Sequence, residues 1–325
     1  MTQDKLKLIT LKELWEMEFI PRSFVINPWM RQGESAMLFG GPGVGKSMFV
    51  LTLALLVAGG GEFMDWQNRN PRRVLLIDGE MALDDINARS MGLWWGIERF
   101  NADLAGGNLT ILSRQSQTPG CTFPDISTEV GREQIIEYAE GFDLVIFDNL
   151  STLALDLGDE NAAAEFNDII RVLMTLKQAR IATILVHHTN KRGANYRGSS
   201  KLATTFECIL GMKFMEHPPA DWHGTKFMLE WHKYRGQRED NITNSDVRFY
   251  QNDAGQIYWE ARLSVMEEAA QLVELIKTGE FSTQAELAKA MNVSTGKLSN
   301  LKHKAIDHKL ISKDEWQECL VSRDF

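Results

Sequence analysis

The chain has 325 residues, 44% of them hydrophobic and 24% charged, and its 35 basic against 44 acidic side chains leave a net charge of −9. That length allows one full α/β core plus a smaller second domain, in an ordinary globular composition. The acidic total argues against blanket affinity for nucleic acid but leaves room for a local basic surface. No run approaches 18 apolar residues, so no membrane span is expected. The N-terminus lacks the basic-then-apolar pattern of a signal peptide. Cys121, Cys208 and Cys319 lie far apart, without metal spacing or a disulfide framework. That usage suits a reducing cytoplasm, where the chain is expected to reside.

Residues 1–32 form an N-terminal segment, with a helical pattern over 11–17 and punctuation at Pro21 and Pro28. Strand and helix signals then alternate. Strands are expected at 35–39, 74–78, 109–112, 142–148, 181–187 and 208–214, with helical patterns between most of them. This alternation predicts an α/β fold with a mainly parallel sheet. The runs at 142–148 and 181–187 are nearly all apolar, as central strands buried on both faces require. Three further strands, at 226–232, 246–250 and 256–260, read as an antiparallel edge. The last two flank Gln251-Asn252-Asp253-Ala254-Gly255, a hairpin-type turn. The core domain is thereby expected over 33–261. From 262 to 325 the signals are helical, at 264–277, 283–291 and 294–308.

Gly40-Gly41-Pro42-Gly43-Val44-Gly45-Lys46-Ser47 fits the P-loop pattern, with an apolar strand before it and an apolar helix pattern after it. The glycines let backbone N–H groups converge on phosphates, and the helix N-terminus adds its positive dipole end. Lys46 is expected to reach the β- and γ-phosphates of ATP, and the Ser47 hydroxyl to bind Mg²⁺. Gly40 through Ser47, with Met48, make up the expected cradle. Asp148 ends a buried strand downstream of the P-loop, the position at which such proteins hold Mg²⁺. The strand at 74–78 also ends in acid. Glu80 is the candidate general base, because Asp78 still lies within the strand.

These three pieces together resemble the RecA-like ATPases, whose second strand commonly ends in Asp-x-Glu, as Asp78-Gly79-Glu80-Met81-Ala82-Leu83-Asp84 does here. Within them the chain is similar to the RepA-type plasmid replicative helicases and their DnaB-type relatives over about residues 20–260. The likeness is carried by Val186-His187-His188-Thr189-Asn190-Lys191, then Arg197-Gly198-Ser199-Ser200, then Lys233-Tyr234-Arg235. It implies that His188 senses the γ-phosphate. It also implies that Lys233 and Arg235 reach the neighbouring subunit's nucleotide in a homo-oligomeric ring, a hexamer, with Arg235 as arginine finger and Arg197 as runner-up. The loop after the histidines carries Lys191, Arg192, Arg197 and Lys201 and no acid, which suits single-stranded DNA in a ring channel. No large N-terminal helical domain of the DnaB type precedes the core, and no subunit-linking arm of the recombinase type is evident.

The C-terminal segment resembles a winged helix-turn-helix. Thr283 and Glu286 form a capping box, and Lys309-Leu310-Ile311 would lead into a wing. Lys297, Lys302 and Lys304 would face duplex DNA. The expected function is an ATP-hydrolysing, ring-forming DNA motor of the replicative-helicase type. The alternatives are an ATP-switched DNA-binding regulator and a RecA-like recombination mediator.

Overall fold

The computed structural model describes residues 6–155, 166–189, 200–215, 223–237 and 242–321. Its strands are β1 (Phe24–Ile26), β2 (Met30–Arg31), β3 (Ser35–Gly40), β4 (Gly61–Phe63), β5 (Trp66–Asn68), β6 (Val74–Asp78), β7 (Leu109–Ser113), β8 (Leu144–Asp148), β9 (Ala182–His188), β10 (Cys208–Phe214), β11 (Thr225–Tyr234), β12 (Ser245–Gln251) and β13 (Ile257–Leu263). The helices are α1 (Leu11–Glu16), α2 (Lys46–Gly59), α3 (Leu83–Leu93), α4 (Ala102–Asn108), α5 (Glu129–Tyr138), α6 (Leu150–Leu153), α7 (Phe166–Gln178), α8 (Ser200–Thr205), α9 (Val265–Lys277), α10 (Gln284–Ala290), α11 (Thr295–Asp307) and α12 (Lys313–Val321).

Nine strands form one sheet in the order β13-β12-β11-β10-β3-β9-β8-β6-β7. The six from β10 to β7 run parallel, and β11, β12 and β13 extend the sheet as an antiparallel edge. The fold is therefore α/β with a mainly parallel central sheet. Its central strands alternate between two cores. Ala36 and Leu38 of β3 and Leu144 and Ile146 of β8 join the core that holds α2. Met37, Phe39, Val145 and Phe147 point to the opposite core, which α5 and α7 close. A strand with both faces covered needs apolar residues at every position, which explains its unbroken apolar run.

Helix α2 is buried along almost its whole length. Such a helix is apolar all round because it has no solvent face. The antiparallel edge helps enclose it. The Phe49 ring of α2 lies 5.8 Å from Phe63, 5.9 Å from Trp66, 6.2 Å from Phe227 and 5.8 Å from Trp259, edge to face in each case. Burial of one such ring contributes about 1.5–3 kcal/mol. These contacts fix the helix that presents the P-loop.

The N-terminal 32 residues are divided. Val25, Ile26, Trp29 and Met30 belong to the α2 core. Upstream, α1 is closed by the Thr10/Glu13 capping box and buries nothing, and Leu8, Trp15, Phe19 and Ile20 are exposed.

The sheet runs to Leu263, and Ser264 caps α9 directly after it. Helices α9 to α12 surround a separate apolar cluster that includes Leu272, Ile276, Leu287, Leu298, Leu301 and Trp316. The expected wing is replaced here. Lys309 takes φ 60 and donates to the Ile306 carbonyl, while Leu310 donates to the Ala305 carbonyl. That pair of bonds is a Schellman motif ending α11. Leu310 and Ile311 pack into the cluster, and α12 follows rather than a strand. Among the described residues no helix is long and apolar enough to cross a membrane.

Candidate nucleotide site

The carboxyl ends of β3, β6, β8 and β9 converge on one cleft, the usual ligand position in an open α/β sheet. Gly40 ends β3, and Gly45 at φ 102 is the N-cap of α2. A Cβ at Gly45 would lie 2.8 Å from Cε1 of Phe249, and one at Gly40 would lie 2.6 Å from the Met212 carbonyl oxygen. Both the backbone angle and the close approach therefore demand glycine at position 45. No side chain caps α2. Its first N–H groups are left for an anion, and the helix dipole favours one. The loop fits a polyphosphate on these grounds.

Lys46 is buried, and its Nζ donates to the Gly40 and Gly41 carbonyls at 2.9 Å each. Burial pulls its pKa down, while Asp148 and Glu80 pull it up. Asp148, only 3% exposed at the end of β8, is pushed up to about 7. Burial is the main cause, and the nearby Asp78 and Glu80 carboxylates add to it. The Ser47 hydroxyl and the Lys46 cation oppose it. A carboxylate so short of positive charge suits a divalent cation, which reverses that balance. Ser47 and Asp148 offer the hard oxygen donors that Mg²⁺ takes, and they would hold it beside the phosphates.

Asp78 is buried at the end of β6. Its Oδ1 accepts the N–H groups of Glu80 at 2.8 Å and Met81 at 2.6 Å. Oδ2 has no partner among the described residues. Burial raises the Asp78 pKa against those two backbone bonds. This carboxylate is spent on shaping the turn. Glu80 stands beyond the strand, exposed, and its Oε2 accepts from Nδ2 of Asn149 at 2.8 Å. His188 ends β9 opposite Gly40 in register.

Lys46, Ser47, Met48, Glu80, Asp148 and His188 line one cavity of about 530 Å³ with Pro42, Gly43 and Gly45. Ala88 on α3 also lines the cavity, and five further lining residues were not expected from the sequence. They are Arg89 on α3, Asn149 after β8, Phe249 and Gln251 on β12, and Ile257 on β13. The signal for Arg89 was a lone cation one helix beyond Glu80. For the β12–β13 residues no local signal existed, because curling of the sheet edge around α2 brings them to the P-loop.

Lys233 and Arg235 lie elsewhere. In register, Tyr234 pairs with Cys208 and Cys208 with Ala36, whereas Gly40 pairs with Met212. The pair therefore sits at the amino edge of the parallel strands, and the P-loop at the carboxyl edge. Lys233 Nζ donates to the Ala203 carbonyl at 2.7 Å, and Arg235 Nη2 to the Thr204 carbonyl at 2.6 Å. Arg235 also lies 3.5 Å from Glu207, and its side chain is half exposed. Burial lowers the Lys233 pKa first, with Arg235 adding to the effect.

Lys191, Arg192 and Arg197 lie outside the described residues, as does the side chain of Lys201 in α8. On α11, Lys297 pairs with Glu268 at 2.6 Å, and Lys302 sits 5.1 Å over the Trp316 ring. Lys297 and Lys304 share a face one heptad apart. Lys302 stands about 140° away at ~100° per residue, so the three do not form one stripe.

A family model described as an AAA domain matches residues 2–194, more than half of the chain. A KaiC-like protein from the hyperthermophilic archaeon Pyrococcus horikoshii superposes with a TM-score of 0.51 at 15% identity, over 73% of this chain and 93% of that one. The flagellar accessory protein FlaH from Methanocaldococcus jannaschii gives 0.48 at 14% identity, over 72% and 91%. No curated protein sequence matches the chain. With its P-loop, buried carboxylates and parallel sheet in place, the chain belongs to the AAA domain family and is a P-loop ATPase of RecA-like fold.

Proposed function

We propose that this ATPase is a ring-forming DNA motor of the RepA-type replicative helicase kind, working as a homo-oligomer, a hexamer, on single-stranded DNA. The observation that supports it most is the position of Arg235. A half-exposed guanidinium at the sheet edge opposite the P-loop cannot serve its own nucleotide. On this reading it serves a neighbour's, and a finger acting in trans makes hydrolysis depend on assembly. The exposed apolar side chains at Leu8, Trp15, Phe19 and Ile20 also favour contact with another chain.

On this reading Lys46 and the α2 N–H groups hold the phosphates, and Ser47 and Asp148 hold Mg²⁺, which would neutralise charge there. Glu80 takes the proton of the attacking water, and His188 reports the γ-phosphate to the loop that follows it. Lys191, Arg192, Arg197 and Lys201 would then meet single-stranded DNA. Lys297 and Lys304, which share one face of α11, would meet duplex.

Unwinding of a forked DNA by the full chain with Mg²⁺ and ATP tests the proposal, with Lys46→Ala as control. Strand separation that depends on Lys46 is the expected result. ATP-dependent duplex binding without separation would instead favour an ATP-switched DNA-binding regulator. The compact helical unit α9–α12, with the turn Asn292-Val293 between α10 and α11, supports that second reading.

The finger has its own test. Arg235→Ala should keep ATP affinity and lose hydrolysis, since a finger acts mainly on the transition state. Titrating Arg235→Ala into Lys46→Ala at fixed total protein should restore activity, because some mixed interfaces pair an intact P-loop with an intact finger. A flat baseline, with subunit exchange verified, would count against Arg235 in trans. Arg197 in the same assay would then separate a misassigned finger from a wrong oligomer.

A further inference from the structure

We infer that Asn149 positions the attacking water, holding it between its own amide oxygen and the Glu80 carboxylate. The inference rests on the reading of Glu80 as general base.

Three observations carry it. The first is a cap that does not cap. Asn149 is the N-cap residue of α6, at φ −124 and ψ 168, yet its side chain makes no cap hydrogen bond. Asparagine is among the best N-cap residues because its side-chain oxygen accepts from the first turn. Here the Thr152 N–H, which such a side chain would take, bonds instead to the Asn149 main-chain carbonyl at 3.1 Å. The side chain is released from its usual local role and lines the nucleotide cavity.

The second is its one side-chain bond among the described residues. Nδ2 donates to Oε2 of Glu80 at 2.8 Å. Glu80 is exposed, on a turn whose backbone Asp78 fixes but whose carboxylate would otherwise rotate. The bond from Asn149 sets where that carboxylate points. The Nδ2 end of the amide thus faces Glu80, whose carboxylate oxygen accepts the bond.

The third is the atom left over. Asn149 is 4% exposed, and its Oδ1 has no partner among the described residues. A buried acceptor without a donor is costly and calls for one. Glu80 is beside it, and Lys46, Ser47 and Asp148 line the same cavity. A water there can give one proton to Oδ1 and the other to Glu80, which turns its lone pairs toward the phosphate. In the reaction the water oxygen bonds the γ-phosphorus as the bond from that phosphorus to the bridging oxygen breaks. Glu80 takes the water's proton, and ADP leaves with the electron pair. Asn149 gains and loses nothing covalently. It holds the water in line.

The test compares the full chain with Asn149→Ala, Asn149→Asp, Glu80→Gln and the Glu80→Gln/Asn149→Ala double variant. Each is measured for kcat, for KM, and for equilibrium binding of a non-hydrolysable ATP analogue. Asn149→Asp keeps the side-chain shape and an acceptor oxygen but removes the donor and sets a second carboxylate against Glu80. Both single Asn149 variants should lose about tenfold or more in kcat, with KM and analogue affinity within about twofold. In the Glu80→Gln background, Asn149→Ala should add less than about twofold, because the two side chains act on one water. Near-wild-type kcat in both Asn149 variants, beside an inactive Glu80→Gln, would overturn the inference. Loss of analogue binding, or an equal fold-loss in both backgrounds, would overturn it too, by making Asn149 a structural residue. Hydrolysis surviving in Glu80→Gln would sink the base assignment instead, and that variant alone shows it.

Discussion

Lys46→Ala should lose at least about 10²–10³-fold in hydrolysis, the toll of removing one preorganised charge partner from a transition state, or roughly 3–4 kcal/mol. The cation sits where negative charge builds on the β- and γ-phosphates. ATP binding should weaken as well, because the same charge attracts the ground state. Stability should move little. Folding already lowers the Lys46 pKa through burial, so the native state holds this cation at a cost that alanine does not bear. Two carbonyl contacts are lost in exchange, those to Gly40 and Gly41. Steady-state hydrolysis and thermal melting of the same preparation check both halves. Turnover near wild type would remove the assignment of this loop as the phosphate site.

Glu80→Gln is the second large effect. The amide cannot take a proton from water, and a well-placed base is worth about 10²–10⁴-fold. The substitution is nearly isosteric, and its oxygen can still accept from Asn149 Nδ2, so the turn should survive intact. The loss should fall on kcat while KM and nucleotide affinity hold, the signature of an interaction used in the transition state. Survival of hydrolysis within about tenfold, a barrier change of about 1.4 kcal/mol, would exclude Glu80. Asp78 would be a poor replacement, since its Oδ1 is committed to two backbone donors and the whole residue is buried.

Much of this site was legible because phosphate chemistry is local. Gly40 to Ser47 is one contiguous segment whose glycine spacing, flanking strand and following helix all speak for the same structure. Strands β3, β8 and β9 were legible for a related reason, since burial on two faces leaves few polar positions to blur the pattern. What escaped depended on distant contacts. Phe249 reaches Gly45 only because the antiparallel edge bends around α2, and nothing near residue 249 announces that bend. Asn149 was hidden differently, since at a helix start it reads as a cap. The wing failed through competition. Lys309-Leu310-Ile311 looks like the start of a strand, but Leu310 and Ile311 serve better as the apolar closure of a Schellman motif.

The cage around α2 sets apart two boundaries usually treated as one. The match to the AAA domain model ends at residue 194, yet the P-loop helix is enclosed partly by Phe227, Trp231 and Trp259, all beyond that point. β3 itself needs β10 beside it, and the Ser35 N–H is met by the Glu207 carboxylate 172 residues away along the chain. A polypeptide released at residue 194 would keep the whole P-loop motif. It would still present β3 as an open edge and α2 as bare apolar surface, both routes to aggregation. Because the enclosing strands come last, a ribosome must emit nearly all of β10 to β13 before the nucleotide cradle can close. The segment that carries the chemistry is therefore among the earliest made and the latest to be finished.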